Sequence, residues 1–185
     1  MPHLPSLPTG STLMQVFQRW PETSRPVIEY HEVVMRGPSP FTLAERELIA
    51  AYVSGLNACG YCHGVHTKVA EAHGVPEGLL AAALADLDTA DVDEKLKPVL
   101  RYVGTLTSAP ARVTAADARA VLDAGWDEEA LHSAVMVCAL FNFMNRMVEG
   151  HGITADEDYH AVSGQRLHDI GYARLAGMID APAAG

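Results

Sequence analysis

Two thiols, an imidazole and a carboxylate fall within one short run, Glu47 to His66, which reads ELIAAYVSGLNACGYCHGVH. Cys59 and Cys62 are three residues apart and His66 is four beyond Cys62, so on a helix all three share one face. A disulfide can close between Cys59 and Cys62 across one turn, and thiols near a helix N-terminus feel its positive end, which favours the thiolate. A thiol of pKa ~8.5 is only ~3% ionised at pH 7, whereas one depressed to ~6.5 is ~75% ionised. His66 can take or relay the proton, and a carboxylate behind it can orient the ring. Glu47 is the candidate carboxylate, because an acidic residue on so apolar a helix has no ordinary place there.

Four chemistries fit these spacings. A dithiol with a histidine makes a redox or peroxidatic site. The same CxxC could hold zinc with His63 or His66, although structural zinc sites show a second pair of ligands at short spacing, and here only Cys138 and scattered histidines remain. CGYCH matches the haem-attachment pattern CxxCH, which requires export. CGYC also resembles thioredoxin-type motifs, but those follow a strand and the residues before Cys59 read as helix.

The elements that must position these residues are helical. Residues 1–10 hold three prolines and read as a loose arm, followed by a short helix from Thr12 towards Pro21. PETSRPVIEYHEVVMRG has helical spacing and ends at the breaker Gly37-Pro38-Ser39-Pro40. Thr42 and Glu45 form a capping-box pattern opening a helix that is apolar nearly all round and therefore buried, ending near Leu56. Further helices are expected over Cys59 to Glu71, Glu77 to Ala85, Asp93 to Leu106, Ala115 to Ala124, and from Trp126–Glu129 through Met147, ended by Gly150 and Gly152. A last helix is expected from Ala155 to Met178. No strand-length alternation and no repeat stands out, which gives an arm over residues 1–20 and one all-α domain over residues 21–180.

Composition narrows the function classes. The chain has 185 residues, 49% hydrophobic and 19% charged, which suits one globular domain and not a disordered one. Its 28 alanines lean towards helix. The formal charge of −10 argues against a nucleic-acid partner and against docking on an anionic membrane. MPHLPSLPTG has neither a basic start nor an apolar run, and the longest apolar stretch, Ala134 to Phe143 and interrupted by Asn142, is short of the ~20 residues of a membrane span. A cytoplasmic location with reduced thiols is the expectation.

The run Leu43 to Ala70 resembles the signature of the alkylhydroperoxidase D-like enzymes within the carboxymuconolactone decarboxylase superfamily. In that pattern a Glu precedes the first Cys of CxxC by twelve residues and a His follows the second Cys by four, as Glu47, Cys59, Cys62 and His66 do here. Flanking text such as RELIAAYVSGLN, and the stretch Trp126–Met147 ending ALFNFMNRM, resemble the peroxidase-related subgroup. The decarboxylase branch lacks the CxxC pair, so its activity is not implied. The resemblance implies an all-α helical bundle that forms homo-oligomers, trimers or hexamers, and a thiol-dependent peroxidase without metal, haem or other cofactor. It implies that Cys62 attacks a peroxide, that Cys59 resolves the sulfenic acid to a disulfide, that His66 and Glu47 relay the proton, and that an external dithiol reduces the enzyme. Some family peroxidases carry His immediately before the second Cys; here Tyr61 stands there.

The remaining readings are a general disulfide oxidoreductase using the same pair and a non-catalytic zinc-binding structural protein. Glu47 could instead pair with an arginine near Arg46 or with Arg146. Cys138, in AVMVCALF, reads as a core thiol, His63 as solvent-facing or interfacial, and Tyr61 as a possible pocket residue.

Overall fold

The structure is a computed structural model that describes residues 1–179, and every element among them is helical. Ten α-helices follow in order: α1 Leu13–Arg19, α2 Pro21–Arg36, α3 Leu43–Leu56, α4 Gly60–Ala72, α5 Leu79–Ala85, α6 Lys97–Ser108, α7 Ala115–Asp123, α8 Glu128–His151, α9 Glu157–Ile170 and α10 Ala173–Ile179. A short 3-10 turn, Pro110–Arg112, joins α6 to α7.

The axis of the bundle is α3. Its start is fixed by Thr42, whose Oγ accepts from the Glu45 amide at 3.2 Å while the Glu45 carboxylate accepts from the Thr42 amide at 2.7 Å. Every residue from Arg46 to Ser54 is buried, as an all-round apolar helix requires. It packs against α2, α4, α5, α6 and α8. The buried Arg46 guanidinium is held without a carboxylate: its Nη1 donates to the Val34 carbonyl at 3.2 Å and the Gly37 carbonyl at 2.8 Å, which ties α3 to the end of α2.

α3 and α4 form a helical hairpin whose turn, Asn57 to Cys59, contains Ala58 at φ +53°, and the Cys59 amide donates to the Ser54 carbonyl at 3.0 Å. α4 is then clasped from the other side by α9. α8 begins at Asp127, whose carboxylate accepts from the Ala130 amide at 2.8 Å, and ends at Gly152 in the left-handed region. By length and composition α8 could cross a bilayer. In the bundle it packs against α2, α3, α4, α6 and α7 and buries Val137, Phe141 and Met144 in the core.

Three expectations change. The helix expected from Asp93 starts at Lys97, because the Asp93 carboxylate first caps a turn through the Lys95 amide at 2.8 Å. The helix expected over Ala155 to Met178 is two helices broken at Gly171, whose φ of +65° a side chain disfavours. The first ten residues are not loose. The His3 amide donates to the His151 carbonyl at 2.9 Å, and Leu7 is buried in an apolar cluster with Val16, Val148, Ile153, Cys59 and Cys62.

The α4–α9 contact depends on small residues. A Cβ added at Gly164 would stand 2.5 Å from the Lys68 Cβ and 3.3 Å from the Val65 carbonyl oxygen. Gly164→Ala should therefore push α9 off α4 and cost about 1–3 kcal/mol, read as a lower denaturation midpoint. An unchanged midpoint would mean that the two helices separate freely there.

Candidate active site

The turn between α3 and α4 places Cys59 at the N-cap of α4, Cys62 within its first turn and His66 one turn further on. All three are buried. Because α3 runs back alongside α4, Glu47 comes opposite His66, and its Oε2 lies 2.7 Å from the His66 Nδ1. A carboxylate only accepts, so Nδ1 carries the hydrogen and Nε2 is left as the ring's proton acceptor. The ring is held edge-on to Phe141, with centroids 4.5 Å apart.

Glu47 is fully buried and has two further donors. Arg36, in the last turn of α2, donates to Oε1 at 2.7 Å, and the Tyr172 hydroxyl donates to the same oxygen at 3.0 Å. Tyr172 is brought there by the break after α9, which is clamped in turn by Glu32: its Oε2 accepts from the Tyr172 and Ala173 amides, both at 2.8 Å. Burial alone would raise the Glu47 pKa, but the attraction and hydrogen bonds of His66 and Arg36 outweigh it and bring the value down to about 2. Burial and the Glu47 charge hold Tyr172 well above its ordinary value, so it stays a donor.

Cys62 and His66 line one cavity of about 70 Å³, largely apolar, with Tyr61, Tyr159, His31 and Arg166 among its walls. A single water needs about 10–15 Å³ on this scale, so the space suits a few waters or a small peroxide. The Tyr61 and Tyr159 hydroxyls lie 2.8 Å apart. Cys59 is not on the cavity wall; it sits behind Cys62. The two thiols interact directly. The Cys62 side chain, with the Cys62 backbone amide, lowers the Cys59 pKa, while the Cys59 side chain and burial raise that of Cys62.

The four motif residues thus stand together, with Glu47 and His66 in contact. His63 does not join them; it lies half-buried between α4 and α3, its Nδ1 2.9 Å from the Ala51 carbonyl oxygen. Tyr61 lines the cavity. Cys138 is fully buried beside Thr107, with Oγ 3.3 Å from its sulfur. Arg146 does not pair with Glu47 but bonds Asn142 at 2.7 and 2.9 Å. Among the described residues no three His, Cys, Asp or Glu side chains stand close enough to hold a metal ion. Sequence reasoning did not single out Arg36, Tyr172 or His31. Arg36 and Tyr172 sit 11 and 125 residues from Glu47, with no local pattern to join them, and a buried glutamate asks only for some cationic partner.

Residues 21–105 match the carboxymuconolactone decarboxylase family. The matched segment is a little under half of the chain. It holds α2 to most of α6 and all four motif residues. Two crystal structures share the fold. One is an uncharacterized peroxidase-related protein from Silicibacter sp. TM1040, 22% identical, with a TM-score of 0.74 over 80% of this chain and 78% of that one. The other, described as an alkylhydroperoxidase AhpD core and an uncharacterized peroxidase-related protein, is from Ralstonia eutropha JMP134. It is 21% identical, with the same TM-score of 0.74 over 80% of this chain and 78% of that one. No curated protein matches the sequence. The all-helical bundle of this chain therefore has the fold of those two structures.

Two buried groups make its stability depend on pH. Burial, ahead of the nearby His66, pushes the His31 pKa down to about 4 from 6.5. Between those values the unfolded chain binds a proton that the folded one does not, so stability falls as pH drops through that window. Glu47 has its pKa depressed from 4.5 to about 2, so its contribution is complete above 4.5 and is lost as pH falls towards 2. Denaturant titrations at about pH 7 and about pH 5 should show a loss that His31→Gln largely removes; equal losses in both proteins would exclude His31 as the cause. Glu47→Ala leaves Arg36 and His66 without their anion and should cost about 3–5 kcal/mol at neutral pH.

Proposed function

We propose that this protein is a thiol peroxidase that reduces hydrogen peroxide or an organic hydroperoxide through the Cys59–Cys62 pair. The observation that carries the reading is the shared cavity wall: Cys62 faces the same small, largely apolar space as His66, whose other ring nitrogen is fixed by Glu47. The family match over the motif and the peroxidase-related description of both structural neighbours support it.

In this reading His66 Nε2 takes the Cys62 proton and the Cys62 thiolate attacks the nearer peroxide oxygen. The O–O bond breaks, Cys62 becomes a sulfenic acid, and the departing alkoxide or hydroxide takes the proton back from the imidazolium. Glu47, held ionised, stabilises that imidazolium and fixes its tautomer. Cys59, immediately behind, displaces hydroxide from the sulfenic sulfur; its own proton leaves with the hydroxide as water, and the disulfide forms. An external dithiol restores both thiols by exchange. A cytoplasmic setting and a homo-oligomer, trimer or hexamer, belong to the same proposal.

Cys62→Ser should abolish peroxide consumption supported by dithiothreitol, and turnover at the wild-type rate would overturn the reading. Cys59→Ser should keep the first attack but stop at the sulfenic acid, captured by dimedone and seen by mass spectrometry. Sustained turnover with no captured adduct would remove Cys59 from the resolving role.

A further inference from the structure

The cavity beside Cys62 has two unlike sides. α1 and α8 give it apolar side chains, among them Leu13, Phe17, Phe141 and Met144. α9 gives it Tyr159, Ser163 and Arg166, spaced four and then three residues apart and so on one face of that helix. No carboxylate among the described residues lines the cavity, and Arg166 is its permanently charged wall residue.

That charge is poorly answered. The Arg166 Nη2 donates to the Ser163 Oγ at 3.3 Å, and its Nε is buried without a partner. No described carboxylate forms an ion pair with it. Two other cations drawn into the bundle are each paired, Arg36 with Glu47 at 2.7 Å and Lys97 with Glu94 at 2.6 Å. In a chain of net charge −10, an arginine left unpaired on a cavity wall is not for want of acids. A half-buried guanidinium short of acceptors is costly, and its planar fork of donors matches a carboxylate. The same wall offers another donor. The Tyr61 and Tyr159 hydroxyls share one hydrogen at 2.8 Å, and the second hydrogen has no partner among the described residues.

We propose that the cavity takes an amphipathic anion, a short-chain organic hydroperoxide that carries a carboxylate, and that Arg166 determines this specificity. The carboxylate, ionised at neutral pH, is held by Arg166 on the α9 stripe, the carbon body lies against α1 and α8, and the hydroperoxide reaches Cys62. The cavity, at about 70 Å³, has room for roughly five to seven waters, which suits a body of a few carbons and not a fatty acyl chain. The proposal rests on the peroxidase reading. A bond forms between the Cys62 sulfur and the terminal peroxide oxygen, the O–O bond breaks, and the departing oxygen takes its proton from His66. The product is the alcohol that keeps the same carboxylate, and the two electrons come from Cys62 and are restored by the external dithiol.

The test compares two hydroperoxides of equal size, γ-hydroperoxy-γ-methylvalerate and its neutral primary amide, through kcat/KM with dithiothreitol as reductant. Wild type should prefer the carboxylate by about tenfold, as a charge-assisted contact partly withdrawn from water provides. Arg166→Gln should bring the ratio to about one, and Arg166→Lys, which keeps the charge but not the fork, should restore part of it. The ratio is taken within one protein, so the folded fraction does not affect it. A cation that only helped to ionise Cys62 would slow both substrates alike and leave the ratio standing in Arg166→Gln; that result, or a wild type without preference, would overturn the proposal. If wild type consumes neither hydroperoxide, the peroxidase reading fails, and protection of Cys62 from iodoacetamide decides the anion site. The unreactive γ,γ-dimethylvalerate should then slow alkylation of Cys62 in wild type more than its amide does, and equally with it in Arg166→Gln. Equal protection by the two in wild type would leave no anion site at Arg166.

Discussion

A carboxylate with no exposed surface cannot stay ionised in an apolar bundle unless its charge is answered at contact distance. Glu47 is answered three times, by Arg36 from the end of α2, by His66 from α4 and by Tyr172 from the break between α9 and α10. Those groups come from segments that meet nowhere else in the sequence, so the ionised glutamate is a condition on how α2, α3, α4 and the C-terminal helices are assembled. The break itself is fixed by a second carboxylate, Glu32, through two backbone amides, and the Arg36 guanidinium lies over the Tyr172 ring at 4.8 Å. Moving any of these helices leaves a buried charge or a buried donor without its partner, which costs more than an apolar mismatch would.

The same arrangement separates two functions that one charge could confuse. Glu47 does not touch the thiols. It acts on the imidazole, and the imidazole faces the cavity that Cys62 faces. The anion that keeps the base oriented is thus kept off the sulfur, where it would oppose ionisation. Arg36 and Tyr172 donate to the other oxygen, Oε1, which leaves Oε2 to accept from His66 Nδ1 at 2.7 Å, shorter than the 3.4 Å from Nδ1 to the Tyr172 hydroxyl.

The sequence made the centre of the molecule legible and its periphery less so. The unbroken apolar run of α3, the Thr42–Glu45 cap and the stop at Gly152 follow from local rules that the tertiary structure does not override. The motif spacing also survives, because it is read along one hairpin. Arg36, Tyr172 and His31 escape because each reaches the site by packing and not by spacing. Tyr172 had a signal that could have found it, the Gly171 just before it, which breaks an otherwise continuous helical pattern. The arm misled in the other direction: three prolines read as looseness, yet Leu4 and Leu7 supply the apolar contacts that let it fold over the thiols.

That fold-back changes how the thiol pair is to be understood. Cys59 and Cys62 sit in a small apolar cluster of their own, with Leu7, Val16, Val148 and Ile153, apart from the main core around α3. Burial opposes ionisation of both thiols and, with Cys59 beside it, holds Cys62 well above its ordinary value, whereas the Cys62 side chain brings Cys59 down, so the positive end of α4 does not by itself make Cys62 reactive. What distinguishes the two sulfurs is what each faces: Cys62 meets the cavity, and Cys59 lies behind it within the apolar cluster. The reactivity of such a pair is set less by total ionisation than by the division of one proton between two neighbours.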